Sequence, residues 1–199
     1  MTSRVWLLFF AMATWAWAQT LTPEDRAKAV AELEASRQEL LAAVKGLTAE
    51  QWRFKPAPDR WSIAECVEHI ALAEDSYYRL ITERLAKAPP PSEEKLAEAR
   101  GKDAYVLEKM PDRSSKRQTS AALEPKGKPP AESLEHFRKS RDRFIAYIRS
   151  TSDPLRERVQ AHRAVGTIDG LQWALLAAGH VRRHIQQIEE VKREKGFPK

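Results

Sequence analysis

The feature that most constrains this chain is a polar, proline-rich stretch over residues 89–130, set between segments with helical periodicity. It is too long for a tight turn between neighbouring antiparallel helices. It can carry the chain from one end of a helical bundle to the other, so that the helices before and after it run the same way. Any fold proposed for the chain has to accommodate that crossing.

Four helical segments surround it. The first opens at Thr22, a capping residue, followed by Pro23 and acids in the first turn, and runs to about Lys45 before Gly46. Leu33, Leu40, Leu41 and Val44 form its apolar stripe. An irregular connection follows, with a short turn at Thr48–Trp52. The second helix starts at Ser62, where Ser62 and Glu65 fit a capping box and Trp61 can pack on Cys66 as a hydrophobic staple. Its stripe is Ile63, Val67, Ile70, Leu80 and Ile81, with His69, Ala73 and Tyr77 beside it, and it ends before Pro89.

A short helix is expected over 93–109 within the long connection. The third helix, from Ala131, uses Leu134, Phe137, Phe144, Ile145 and Ile148, and Pro154 stops it. A second connection leads to the fourth helix, from about Asp169 to Lys195, closed by Gly196 and Pro198. No strand pattern of useful length and no glycine-rich phosphate loop is visible. The pattern predicts an all-α four-helix bundle.

Residues 1–18 stand apart. Met1 to Arg4 give a short positive start, VWLLFFAMA an apolar run, and Ala16-Trp17-Ala18 a small-x-small cleavage site before Gln19. The chain of 199 residues is therefore read as a secretory signal peptide, 1–18, and one domain, 19–199. An uncleaved membrane anchor is the alternative, although the apolar run is short for a span. The expected location is exported, periplasmic or secreted, with no stable membrane insertion after signal cleavage.

The formal charge is +6. Most of it lies in residues 95–128, which hold nine basic and five acidic side chains. That segment reads as a solvated loop, and no nucleic-acid partner is expected. The single cysteine, Cys66, excludes an internal disulfide, so stability has to come from packing.

The chemistry concentrates in AAGHVRRHIQQIEE, residues 177–190. His180 and His184 are four apart on a helix and face the side of Trp173, Leu176 and Gln187. Two imidazoles at that spacing can share one metal ion, but two ligands alone bind weakly. His69, on the inner side of the second helix, is the natural third. Three imidazoles leave a coordination position open, the pattern of a catalytic rather than a closed structural site. His136 reads as a surface residue, and His162 as a loop residue that can border the site.

Two blocks of sequence carry a family resemblance. They are W-x-x-x-P-x-x-x-x-W-S-I-A-E-x-V-E-H, Trp52 to His69, and D-G-x-Q-W-x-L-x-x-A-x-H-x-x-x-H-x-x-Q-I, Asp169 to Ile188. Together they resemble the DinB-like superfamily. That resemblance implies an up-down-down-up four-helix bundle and a divalent metal held by His69, His180 and His184. Relatives include thiol-dependent S-transferases and isomerases, and proteins known only as stress-induced. Export departs from their mainly cytoplasmic pattern.

The expected function is a metal-dependent hydrolase or transferase that activates water or a thiol for a small-molecule substrate. A non-catalytic metal- or ligand-binding protein is the alternative. Zinc is the default ion; nickel, copper and iron also suit imidazole ligands. Glu65 can relay a proton, in competition with its capping role. Gln187 can support a ligand histidine. Cys66 is an extra ligand, a redox sensor or simply core, and Tyr77 and Trp173 line a pocket or the core. A homodimer remains open.

Overall fold

The computed structural model describes residues 20–199; the signal-peptide reading lies outside the described residues. Three of the four long helices begin at capping boxes, where side chains satisfy the first orphan amides. Thr22 accepts from Asp25 N at 3.0 Å to open α1, Pro23–Ala43. Ser62 and Glu65 exchange bonds to open α3, Ile63–Arg79, which runs on through a π-helical turn, Leu80–Leu85. Asp169 and Gln172 do the same for α7, Gly170–Lys192. The remaining long helix, α6, spans Pro130–Ser150 and starts on proline. Thr48 caps the short α2, Ala49–Arg53.

The relative directions follow from residue pairs. Tyr78 meets both Phe144 and Tyr147, and Glu68 binds the amides just before α6. Numbers rise together, so α3 and α6 are parallel. Trp61 lies on His184 and Tyr77 on Trp173, so α3 and α7 are antiparallel. Arg26 binds the carbonyl of Ile148 while Arg141 binds that of Leu33, so α1 and α6 are antiparallel. Lys192 reaches Ala43 and Arg182 reaches Glu32, so α1 and α7 are parallel. The bundle is up-down-down-up.

Within the long connection the expected single helix is two: α4, Glu93–Ala99, and α5, Asp103–Lys109. Gly101, at φ +73°, breaks them, because that backbone conformation does not continue a helix. The α5 end packs on α7 at Gly179, where a Cβ would lie 3.0 Å from Met110 Cβ. The second connection holds an unexpected antiparallel hairpin, β1 (Val159–His162) and β2 (Gly166–Asp169). Each strand is four residues long without clean alternation of burial, so no period-two signal was there to read. Leu134, expected in the core, is only half-buried. Among the described residues no helix is long and apolar enough to cross a membrane.

Two apolar clusters fill the bundle. One contains Leu33, Leu80, Phe144 and Ala178; the other contains Leu40, Ile70, Phe137 and Val181. In all four helices a polar residue falls between them: Ser36, Glu74, Arg141 and His180. Arg141 and Glu74 side chains are 0% and 1% exposed and form a bidentate pair at 2.6 and 2.8 Å. Arg141 also donates to Leu33 O and Ser36 Oγ on α1, so it ties three helices together.

Removing one partner of such a pair leaves a buried charge without compensation, which costs about 3–5 kcal/mol. Glu74→Ala is expected to lower unfolding stability by about that amount in urea titrations. Glu74→Leu combined with Arg141→Met is expected to recover most of the loss.

Candidate metal centre

Antiparallel packing of α3 on α7 brings His69, two turns into α3, against the His180–His184 pair. The three rings are buried, at 3%, 6% and 6% exposure. His69 Nε2 lies 3.2 Å from His180 Nε2, and His184 Nε2 also lies 3.2 Å from it. One nitrogen from each residue falls within 4.8 Å of the others. The three imidazoles thus converge on a single point.

Outer hydrogen bonds orient two of the rings. His69 Nδ1 donates to the Leu123 carbonyl at 2.8 Å, and His184 Nδ1 donates to Gln187 Oε1 at 3.0 Å. With their protons on Nδ1, both rings turn an Nε2 lone pair inward. Arg113 Nη1 also donates to Gln187 Oε1, at 3.4 Å, which holds the amide in place. Burial holds all three imidazoles below their usual pKa, His180 and His184 far below it. Facing lone pairs repel, and burial disfavours a proton between them. A cation answers both problems. Tetrahedral zinc with bonds of about 2.0–2.1 Å spaces its nitrogens about 3.3 Å apart, close to the 3.2 Å separations here. The donor set therefore fits a divalent ion of zinc size.

Above the histidines lies a cavity of about 1100 Å³, large enough for a small organic molecule. Trp61 forms one wall, its ring 4.9 Å from His69 and 6.1 Å from His184. Tyr77 stands edge-on to His180 at 5.4 Å, and Trp173 meets both Tyr77 and His162. The buried Trp173 Nε1 has no hydrogen-bond partner.

The remaining residues of interest divide. Glu65 is held by its capping bond to Ser62 N and by Lys55 Nζ at 2.9 Å, and does not line the cavity. Cys66 is fully buried among Val67, Ile70 and Ile188, and burial pushes its thiol pKa up, so it is a core residue. Trp61 packs on the imidazole rings as well as on the cluster that contains Cys66. Gln187 touches a histidine as expected. His162 lines the cavity from β1. His136 is not a free surface residue: it is half-buried and donates to Asp75 at 2.7 Å, on the far side of α3.

Residues outside the helices complete the site, and these were not visible in the sequence. The Glu68 carboxylate accepts from the amides of Lys126, Gly127 and Lys128 at 2.9–3.0 Å, pinning the end of the long connection to α3. That bond set brings Leu123 O to His69. The basic segment read as a solvated loop folds back instead. Arg113 pairs with Glu190 on α7, and Arg117 turns into the cavity wall. The buried acid immediately before His69 was the one available hint.

Fold and centre together define a helical bundle with an inward three-histidine site, and residues 32–188 match the DinB superfamily, to which the chain belongs. It is similar to the uncharacterized protein YuaE of Bacillus subtilis (strain 168), 28% identical over 162 residues, covering 79% of this chain and 93% of YuaE. A solved structure of YfiT from Bacillus subtilis shares the fold, with a TM-score of 0.56 and 22% identity over 90% of this chain and 93% of that one. YfiT is described as a probable metal-dependent hydrolase with an unusual four-helix bundle topology.

Burial, then the charges of Arg117 and Arg163, push the His162 pKa down from 6.5 to about 4. Between those values the unfolded chain binds a proton that the folded chain refuses. Stability from this residue is therefore complete above pH 6.5 and is lost as pH falls toward 4. NMR titration is expected to place His162 near 4, and Arg117→Gln with Arg163→Gln to raise it while burial keeps it below 6.5.

Proposed function

We propose that the protein is an exported metal-dependent enzyme, a hydrolase first and a thiol transferase second, acting on a small molecule in the cavity above His69, His180 and His184. The observation that carries this reading is the convergence of three inward Nε2 atoms beneath an open cavity. Three protein ligands leave room for a reactant, whereas a purely structural ion takes four. YfiT, of the same fold, is described as a probable metal-dependent hydrolase. Zinc is the preferred ion, with nickel and iron next.

When bound, a divalent ion supplies a positive centre that lowers the pKa of water or a thiol toward neutrality. His69 and His184, locked by Leu123 O and Gln187, present their lone pairs without rearrangement. Trp61 covers the rings and keeps bulk water from their outer faces. Tyr77, whose hydroxyl is pushed up in pKa by burial, stays protonated and serves only as a hydrogen-bond donor to the reacting group.

A non-catalytic binding protein is the second reading. One observation favours it: the histidine cluster contains no carboxylate, and Glu65 is engaged elsewhere. Two measurements separate them. Elemental analysis of protein purified without added metal is expected to show near-stoichiometric zinc, lost on His69→Ala, His180→Ala or His184→Ala. Gln187→Ala is expected to weaken metal affinity about 10- to 100-fold. Turnover on a panel of ester, amide and thiol substrates, abolished by His184→Ala, supports the enzyme; zinc without any turnover supports the binder.

Export is tested separately. N-terminal sequencing of the protein recovered from outside the cytoplasm is expected to begin at Gln19, and an intact Met1 would refute cleavage.

A further inference from the structure

The cavity wall carries charge that nothing in the bundle neutralises. Eight lysines and arginines line the cavity, against two carboxylates, Asp59 and Glu83. Some of these cations have partners: Arg60 pairs with Glu194, and Arg113 with Glu190. Three do not. Arg183, 5% exposed, donates to the carbonyls of Asp112 and Ser115. Arg117 donates to the carbonyls of Lys109 and Met110 and to the Met110 sulfur. Arg163 donates to the carbonyl of Gln118. Among the described residues none of the three has a carboxylate within ion-pair distance. The nearby Asp112 carboxylate is taken by Lys109 and Ser114 N.

Carbonyl oxygens solvate a guanidinium but do not cancel its charge. Burying or crowding such groups is unfavourable unless an anion arrives. Among the described residues the one other buried arginine, Arg141, lies against a carboxylate, Glu74. These three cations lie instead on a wall shared with the three histidines, where a bound divalent ion would add further positive potential.

We propose that the substrate is an organic oxyanion, a carboxylate or a phosphate ester, whose charged group is held by Arg117, Arg163 and Arg183 while its reactive group reaches the three-histidine centre. Planar guanidinium forks suit bidentate binding of either group. The cavity, at about 1100 Å³, far exceeds an inorganic ion, and its aromatic wall of Trp61, Tyr77 and Trp173 accommodates an apolar body. The unpartnered Trp173 Nε1 donates to a further acceptor on the same molecule. This assignment rests on the enzyme reading above for the role of the metal, but not for the anion site.

The test is calorimetric titration of the full processed chain, with and without chelator treatment, at fixed ionic strength. The probes are inorganic phosphate and succinate, with succinamide as the neutral control. Phosphate or succinate is expected to bind and succinamide not. Arg117→Gln and Arg163→Gln, both in surface connections, are each expected to weaken binding about tenfold. Arg183 is left intact because it braces the connection. His184→Ala is expected to retain anion binding although its metal is lost.

Equal binding of succinamide, unchanged affinity in both arginine variants, or no binding of either anion overturns the proposal. So does anion binding that vanishes with the metal and ignores the arginines. Wild-type protein that binds phosphate but carries no metal would refute the metal reading while supporting the arginine site.

Discussion

A charge buried in a bundle tolerates few positions for its neighbours. Arg141 has Glu74 on α3 and two acceptors on α1, all within 2.8 Å, and sliding any of these helices by a turn would strand it. Apolar stripes specify register weakly, since Leu against Ile at one level packs about as well as at the next. A bidentate ion pair does not have that freedom. In this fold the pair sets α3 against both α6 and α1 at one level. His180 falls between the same two apolar clusters as the pair. His69 lies little more than a turn before Glu74 on α3, so the helix that Arg141 anchors also carries the histidine that meets the α7 pair.

The polar layer has a second consequence. Imidazoles, a carboxylate and a guanidinium in the middle of a bundle weaken its hydrophobic core at that height. The structure compensates by satisfying each group fully: Ser36 donates to Leu33 O and accepts from Arg141, and Glu74 takes both arms of the fork. The inward-facing nitrogens of the three histidines meet only one another. A site that is pre-organised but unfulfilled in this way is the usual signature of a position reserved for a ligand.

Much of this was legible in the sequence, and the reasons are local. Thr22, Ser62 and Asp169 announce helix starts because capping chemistry is confined to a few residues. His180 and His184 share a face by periodicity alone, and the length of the 89–130 connection allowed a parallel pair of helices. What could not be read was where that connection goes. Its path depends on bonds between residues far apart in the chain: Glu68 with the amides of 126–128, Arg113 with Glu190, Arg183 with the carbonyls of Asp112 and Ser115. None has a periodic signature. The same is true of the hairpin, whose eight strand residues are too few to declare a pattern.

That division has a bearing on how such a bundle acquires chemistry. The helices supply the three histidines, whose meeting is set by bundle register, which is hard to alter without losing the fold. The connection and the hairpin supply Leu123 O, Arg113, Arg117, Arg163 and His162, which hold a ligand histidine, brace the wall and decide its charge. These segments tolerate insertion and substitution, because loops cost little to lengthen. A fixed centre under a variable cover allows one metal site to serve substrates of different charge. In this chain the cover is strongly basic, and the two carboxylates that Arg60 and Arg113 engage, Glu194 and Glu190, both come from the C-terminal end of the chain rather than from the cover itself. Within the cover, the charges of Arg117 and Arg163 face the cavity without neutralisation.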